Sequence, residues 1–180
     1  PVLVASAMQG LAFALAQDEQ IVGHEHRQRL NLSSRLQWRA EAGEALVLSP
    51  FFVLSDGSTT REALMTQSVG LLPPPYASAQ SDSDNRFSLL RLNGQWNRRL
   101  ADTLRVELRG GLGEARNVNQ SLRNEFDAAG AQLRAIDDQS SVRDRSLNLT
   151  GKVFALQGGE HSIVTGAELE GTRRAETRSR

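Results

Sequence analysis

Apolar and polar residues alternate with a period of two along much of this chain. Within residues 28–40, Leu30, Leu32, Leu36 and Trp38 fall on one side, and Arg29, Asn31, Ser33, Arg35 and Gln37 on the other. Within 104–116, Leu104, Val106, Leu108 and Leu112 oppose Arg105, Glu107 and Arg109. Within 162–174, Ile163, Thr165, Ala167 and Leu169 oppose Glu168 and Glu170. Successive side chains of a strand point to opposite faces, so each run predicts a strand with one apolar and one polar face. A helical period fits these segments less well. Seven strands are predicted, at 3–17, 28–40, 45–55, 86–98, 104–116, 145–156 and 162–174.

The connections sort into two kinds. Residues 41–44, 99–103 and 157–161 are short turns, and Gly43, Gly158 and Gly159 supply the positive φ that tight hairpins need. The turn around Leu100-Ala101-Asp102 lacks a glycine. Residues 18–27, 56–85 and 117–144 read as polar loops rich in Ser, Asp, Asn and Gln, and Pro73-Pro74-Pro75 stiffens the middle one. Loops beyond about 15 residues are rare in a compact soluble domain. The same phrase recurs at Arg29-Leu30-Asn31-Leu32, at Arg91-Leu92-Asn93-Gly94-Gln95-Trp96 and at Ser146-Leu147-Asn148-Leu149. Long strands with short turns at one end and long loops at the other are the layout of an outer-membrane β-barrel. The fold class expected is all-β, an antiparallel up-and-down meander of about seven long strands, as a section of such a barrel.

Composition bounds this reading without deciding it. The chain has 180 residues, 21 basic and 21 acidic side chains, and a net charge of +0. Neutrality gives no argument for nucleic acid as a partner. With no cysteine, disulfides and thiolate chemistry are excluded. No stretch of about 20 apolar residues predicts a membrane helix, but a barrel strand needs only about 10 residues, every second one facing lipid. Residues 2–16 are apolar and end in Ala14-Leu15-Ala16, which reads either as a signal-peptide cleavage site or as the alternation of a first strand. The start at Pro1 and the charged tail 172–180 suggest a section of a longer chain.

A soluble β-sandwich alternates too, so it stays as an alternative. Three features favour the membrane. The strands run to about 11–13 residues against a soluble mode of 5–6. Trp38 and Trp96 each stand a few residues before a short turn, where an interfacial aromatic girdle sits, although they could serve as core anchors. Glycine and alanine are interleaved on the apolar face, which suits fluid lipid chains better than a close-packed core. Seven strands leave two free edges, and lipid offers no hydrogen bonds to an edge, so further strands are required to close the wall.

The hairpin residues resemble TonB-dependent outer-membrane receptors. The resemblance rests on Arg29-Leu30-Asn31-Leu32-Ser33-Ser34-Arg35-Leu36-Gln37-Trp38, followed after a glycine turn by Leu46-Val47-Leu48-Ser49-Pro50-Phe51-Phe52. Gly159-Glu160-His161-Ser162-Ile163-Val164-Thr165-Gly166-Ala167-Glu168 is similar to the family's recurring turn and strand. The resemblance implies a barrel of about 22 strands, an N-terminal plug and a TonB box. It implies partners in outer-membrane lipid, the plug, TonB and a scarce small ligand such as a ferric siderophore. Residues 1–180 would then be a partial barrel without plug or TonB box, in the outer membrane of a Gram-negative bacterium. A passive porin-type barrel is the nearest alternative.

Candidate sites follow from this layout. Arg29, Asn31, Arg35, Gln37, Arg91, Asn93, Arg105, Glu107, Arg109, Lys152, Glu168 and Glu170 would face the lumen, with opposite charges pairing between neighbouring strands. Tyr76, beside the prolines, and Asn117 and Asn119 are the loop positions placed for ligand contact. His24 and His26, two apart on an extended chain, point the same way and could share Zn²⁺ or Cu²⁺, though no third ligand is fixed nearby. No cofactor is expected. A catalytic role is not expected either, because a nucleophile needs a base within reach and the histidines fall in a loop and at a turn.

Overall fold

The computed structural model of the chain describes residues 2–5, 15–40, 43–70, 72–157 and 161–180. Its strands are β1 (Val2–Ala5), β2 (Ala16–Ser33), β3 (Leu36–Ala40), β4 (Glu44–Val69), β5 (Ser78–Ala101), β6 (Leu104–Phe126), β7 (Gln132–Gln157) and β8 (His161–Ser179). They form one antiparallel sheet in the order β1-β2-β4-β5-β6-β7-β8, and β3 continues the line of β2 along β4. The topology is therefore an up-and-down meander with seven strand positions, as the alternation predicts. The sheet is not closed: among the described residues no pairing joins β1 to β8.

Local chemistry explains the interruptions. Ser34 and Arg35 separate β2 from β3 opposite Ser49 and Pro50. Pro50 has no N–H to offer the ladder, and its carbonyl instead accepts from Ser34 N at 3.1 Å. Gly43 takes φ 73° in the turn from β3 to β4. The glycine-free turn from β5 to β6 closes on Asp102 and Thr103, with a register shift between Arg99 and Ala101. The turn carrying Gly158 and Gly159 lies outside the described residues.

Three expectations about boundaries are corrected. Residues 18–27 are not a loop but the body of β2, paired with β4 from Asp18↔Thr66 to Arg27↔Gly57. Residues 56–85 and 117–144 are mostly ladder: β4 runs on to Val69, β5 begins at Ser78, β6 ends at Phe126 and β7 begins at Gln132. The strands β4 and β7 thus reach 26 residues each. A single first strand over 3–17 is also wrong, because Ala5 pairs antiparallel with Ala16, so the chain has already reversed. The middle of that segment lies outside the described residues.

Register sorts the side chains into two faces. One face carries Trp38, Leu46, Trp96 and Leu108 in a single hydrogen-bonded row. The next rows hold Leu36, Leu48, Gly94, Gly110, Leu149 and Leu169, then Pro50, Leu92, Leu112 and Leu147. Further from the short turns this face becomes polar, as in Gln28, Asp56 and Arg86, with isolated exceptions such as Val118 and Leu122. The opposite face is largely polar on β2, β6, β7 and β8 beside the apolar rows, whereas on β4 and β5 it mixes Val47, Phe51, Val53 and Leu89 with Ser49, Arg91, Asn93 and Gln95.

The apolar face is the open one. Trp38 is 52 % exposed, Leu149 48 % and Leu169 58 %. The buried strand residues Val53, Ala63, Ala79 and Glu125 all lie on the other face. Along residues 54–60 of β4, exposure alternates with the apolar-face positions always the more open. Side chains crowd on the inner side of a curved sheet, so the sheet bows around its polar face. A soluble sheet would bury its leucines under a second layer; among the described residues there is no second layer and no helix.

Candidate functional site

The concave face gathers the polar residues. Arg29, Asn31, Gln37, Arg91, Asn93, Arg105, Glu107, Arg109, Lys152, Glu168 and Glu170 share its parity through the whole ladder. Arg35, between β2 and β3, joins Ser49, Asn93, Gln95, Arg109, Asn148 and Thr150 around a groove of about 370 Å³. Beside it, β6 places Gly111 between Asn93 and Asn148 in one row, in a second groove of about 250 Å³ that Arg91, Ser146 and Glu170 also line. A Cβ on Gly111 would collide with the side-chain oxygens of both. Glycine here is a matter of space, since each neighbouring strand sends a long amide over it.

Charges on this face are held locally. Arg109 donates to Glu107 two positions back on its own strand, and Gln95 Nε2 donates to the same carboxylate at 3.4 Å. Lys152 stands directly opposite Glu107 in register. The pairing expected between strands is thus taken up, for Glu107, along the strand. Arg29 Nε donates to Asn31 Oδ1 at 3.1 Å. Arg105 lies over the Phe154 ring, 4.5 Å from its centroid, a cation–π contact on a partly wet surface. Donors and acceptors are dense, so the face can solvate and guide a polar solute.

At the turn end of the apolar face, Trp38 and Trp96 flank Leu46 in the same row. Trp96 Nε1 donates to Glu44 Oε1 at 2.7 Å. Each indole therefore has an apolar body beside leucines, and Trp96 has a polar tip anchored at the border.

At the far end of the concave face the chain builds a cluster that the sequence did not disclose. Residues 72–77, ahead of β5, fold back so that Tyr76 is 8 % exposed, packed with Ala63, Ala79 and Met65. Its hydroxyl donates to Glu19, and the Arg123 guanidinium lies 5.0 Å from its ring centroid. Glu125, 3 % exposed, accepts from Arg123 Nε at 2.9 Å and from Arg134 at 3.0 and 2.6 Å. Burial alone would raise the Glu125 carboxyl, but the Arg134 and Arg123 hydrogen bonds prevail and hold it below its ordinary value. Burial, reinforced by the bond to Glu19, pushes the Tyr76 phenol up. Tyr76 is thus a structural anchor joining β2, the hairpin tip and β6. Asn117 and Asn119 are not loop residues: they sit within β6, where Asn85 Nδ2 donates to Asn117 Oδ1 at 3.1 Å and Ser83 donates to Asn119 Oδ1 at 3.3 Å.

The histidines take the other face. His24 and His26 both lie on the convex side of β2, opposite Thr60 and Ser58. His26 Nε2 meets Gln28 Nε2 at 3.2 Å. Among the described residues no group of three or more His, Cys, Asp and Glu is arranged to hold a metal ion. His161 lies on the same convex face at the turn end of β8, far along the sheet from His24.

No protein-family model and no curated protein matches this chain.

Proposed function

We propose that this sheet is a section of the barrel wall of a TonB-dependent receptor in a Gram-negative outer membrane. Its convex face meets lipid and its concave face lines a wet lumen through which a scarce polar ligand, such as a ferric siderophore, is imported.

The observation that carries the membrane reading is the slant of the apolar band. Its upper border falls at Leu30 on β2, Leu54 on β4, Leu90 on β5, Leu112 on β6, Leu147 on β7 and Leu169 on β8. In hydrogen-bonded rows that border drops by three rows over five strand-to-strand steps. Three rows are about 20 Å along the strands, and five steps are about 24 Å across them. The band therefore crosses the rows at about 40°, which matches the strand tilt of about 35–45° in outer-membrane barrels. A flat membrane cutting a tilted sheet leaves this trace; a sheet covered by a second protein layer has no reason to. Residues 46–54 of β4 span about 27 Å along the strand, or about 21 Å along the membrane normal at that tilt, close to the roughly 25 Å apolar belt of such barrels.

The receptor reading adds further support. The hairpin residues resemble that family, and β4 continues 15 residues past Leu54, enough to stand about 38 Å clear of the bilayer at that tilt. As the resemblance implies, energy for uptake would come from the inner-membrane coupling protein. Both edges of the sheet must meet further strands, because an open edge in hydrocarbon leaves its N–H and C=O groups unpaired.

Uptake of labelled ferric chelates, in cells with and without a functional TonB, tests the proposal. Uptake that depends on both this protein and TonB is expected. Uptake indifferent to TonB would assign the sheet to a passive porin. A protein that stays monomeric and folded in plain buffer, with no detergent or vesicles, would remove the membrane reading.

A further inference from the structure

A proline stands in the middle of a central strand. Pro50 belongs to β4, which β2 and β3 pair on one side and β5 on the other. It is also the middle residue of the 46–54 stretch that the apolar belt covers. Within sheets proline keeps to edge strands and bulges, because it removes a ladder hydrogen bond. Register puts Ser34 directly opposite Pro50, between Ser33↔Phe51 and Leu36↔Leu48. Facing residues of such a pair exchange two N–H···O bonds. Only one forms, from Ser34 N to the Pro50 carbonyl at 3.1 Å. β4 has no donor for the Ser34 carbonyl, and the ladder divides into β2 and β3 at that point. Below the break β3 consists of the five residues Leu36–Ala40.

We propose that the Ser34–Pro50 pair is a hydration site built into the wall: water from the concave groove supplies the donor that Pro50 lacks, and the seam between β2–β3 and β4 is the line along which the wall first opens. The inference rests on the membrane reading above. At an aqueous surface an unpaired carbonyl costs little, since solvent bonds it. In hydrocarbon it is costly, and lipid chains have no donor to give. The convex side of the pair is apolar, with Leu32, Leu36 and Leu48 around it. The concave side is wet. Arg35, which follows Ser34, and Ser49, which precedes Pro50, both line the groove of about 370 Å³. A buried water needs room and about two to four polar partners. The groove is the room, and the Ser34 carbonyl, the Ser49 hydroxyl and the Arg35 guanidinium are the partners.

The experiment uses the full-length protein in phosphatidylcholine vesicles. Flotation tests insertion by itself, and failure there removes the membrane reading together with this inference. Hydrogen exchange is then resolved to single residues by fragmentation mass spectrometry. Leu92 and Leu112 are the reference, because they face each other in the row of Pro50, where the ladder is continuous. The amides of Ser34 and Leu36 are expected to exchange at least about tenfold faster than these, the size of one net hydrogen bond. Pro50→Val restores the N–H and is expected to remove most of that difference. Pro50→Ala restores it without a branched side chain and is expected to do the same. Insertion with equal exchange at all four wild-type amides overturns this inference alone, because a pair that is unbonded but dry admits no exchange. Fast exchange that persists in both variants overturns it too. So does slowing by valine and not by alanine, which would assign the effect to side-chain packing.

Discussion

Leu48 and Leu169 occupy the same hydrogen-bonded row, linked through Gly94, Gly110 and Leu149. If the sheet tilts by about 40°, each step from strand to strand raises that row by about 3 Å along the membrane normal. Four steps separate β4 from β8, so Leu169 stands about 12 Å higher than Leu48. Leu48 then lies within about 4 Å of the bilayer midplane, and Leu169 lies at the upper border of the apolar band. An arginine on the lipid face of a barrel costs about 2–4 kcal/mol at the midplane and about 0–1 kcal/mol near the interface. Leu48→Arg should therefore destabilise the vesicle-inserted protein by about 2–4 kcal/mol and Leu169→Arg by less than about 1 kcal/mol. Urea titration in phosphatidylcholine vesicles, followed by tryptophan emission, measures both. Ser49→Arg, on the wet face beside Leu48, should change little and controls for charge alone. Equal costs at Leu48 and Leu169 would refute the tilt, because they would make the hydrogen-bonded row itself the membrane plane. A negligible cost at Leu48 would refute lipid contact altogether.

Four further outcomes are expected. Trp38 and Trp96 stand at the turn-side border, so lipids brominated near the headgroup should quench their emission more than lipids brominated near the chain end; equal quenching speaks against a girdle. Glu125→Gln removes the negative charge, and one of the two acceptor oxygens, that two guanidiniums share at a buried position and should lower the local stability of the 127–131 hairpin by roughly 1–3 kcal/mol, read by hydrogen exchange. The wild type should show the same loss in acid. Because the folded Glu125 carboxyl titrates below its ordinary value, its contribution is complete above the unfolded pKa of about 4.3 and disappears as pH falls through the depressed folded value. Protection that does not change over that window argues against the cluster. Finally, Gly111→Leu should fill the gap between Asn93 and Asn148 and slow the labelling of an Asn93→Cys thiol by a water-soluble maleimide; an unchanged rate would mean that the groove is not the route to Asn93.

The sequence made one half of each strand legible and hid the other. Within the apolar band Leu104, Val106 and Leu108 alternate with Arg105, Glu107 and Arg109, as the proposed lipid on one side and water on the other require, and the strand is plain. Beyond Leu54 both faces are wet. Residues 80–85 and 117–124 are then polar at nearly every position, and a period-two signal cannot arise where the two environments are alike. The ladder Asn85↔Asn119 to Gln80↔Asn124 persists because the backbone pairs regardless of side chain. One cue was present in the supposed loop of 117–144: Asp127 three residues before Gly130. In the structure the Asp127 carboxylate accepts from Ala129 N and Ala131 N at 2.9 and 2.8 Å, and Gly130 takes φ 82°. An Asx-type turn of this kind marks a tight hairpin. The concave-face residues were separable because parity alone assigns them. Tyr76 was not, since its partners Glu19 and Arg123 lie 57 and 47 positions away.

The wet extensions also explain where the buried residues other than Val53 fall, namely Ala63, Tyr76, Ala79 and Glu125. Inside the band, lipid can cover the convex face, and the concave face needs no core. Past the band neither face has a cover, and a lone polar ribbon gains little from propensity or surface ion pairs. The chain answers by folding residues 72–77 onto its own concave face, where Ala63 and Ala79 leave room for Tyr76. Glu125 is buried at the same level, held from β6 and β7 by Arg123 and Arg134. Two alanines where larger residues would fit, and one carboxylate between two guanidiniums, pin strands that hydrophobic burial does not hold. Rigidity at that height keeps the ends of the long hairpins in fixed register with the groove below. A binding surface there would be positioned by the sheet and not by mobile loops.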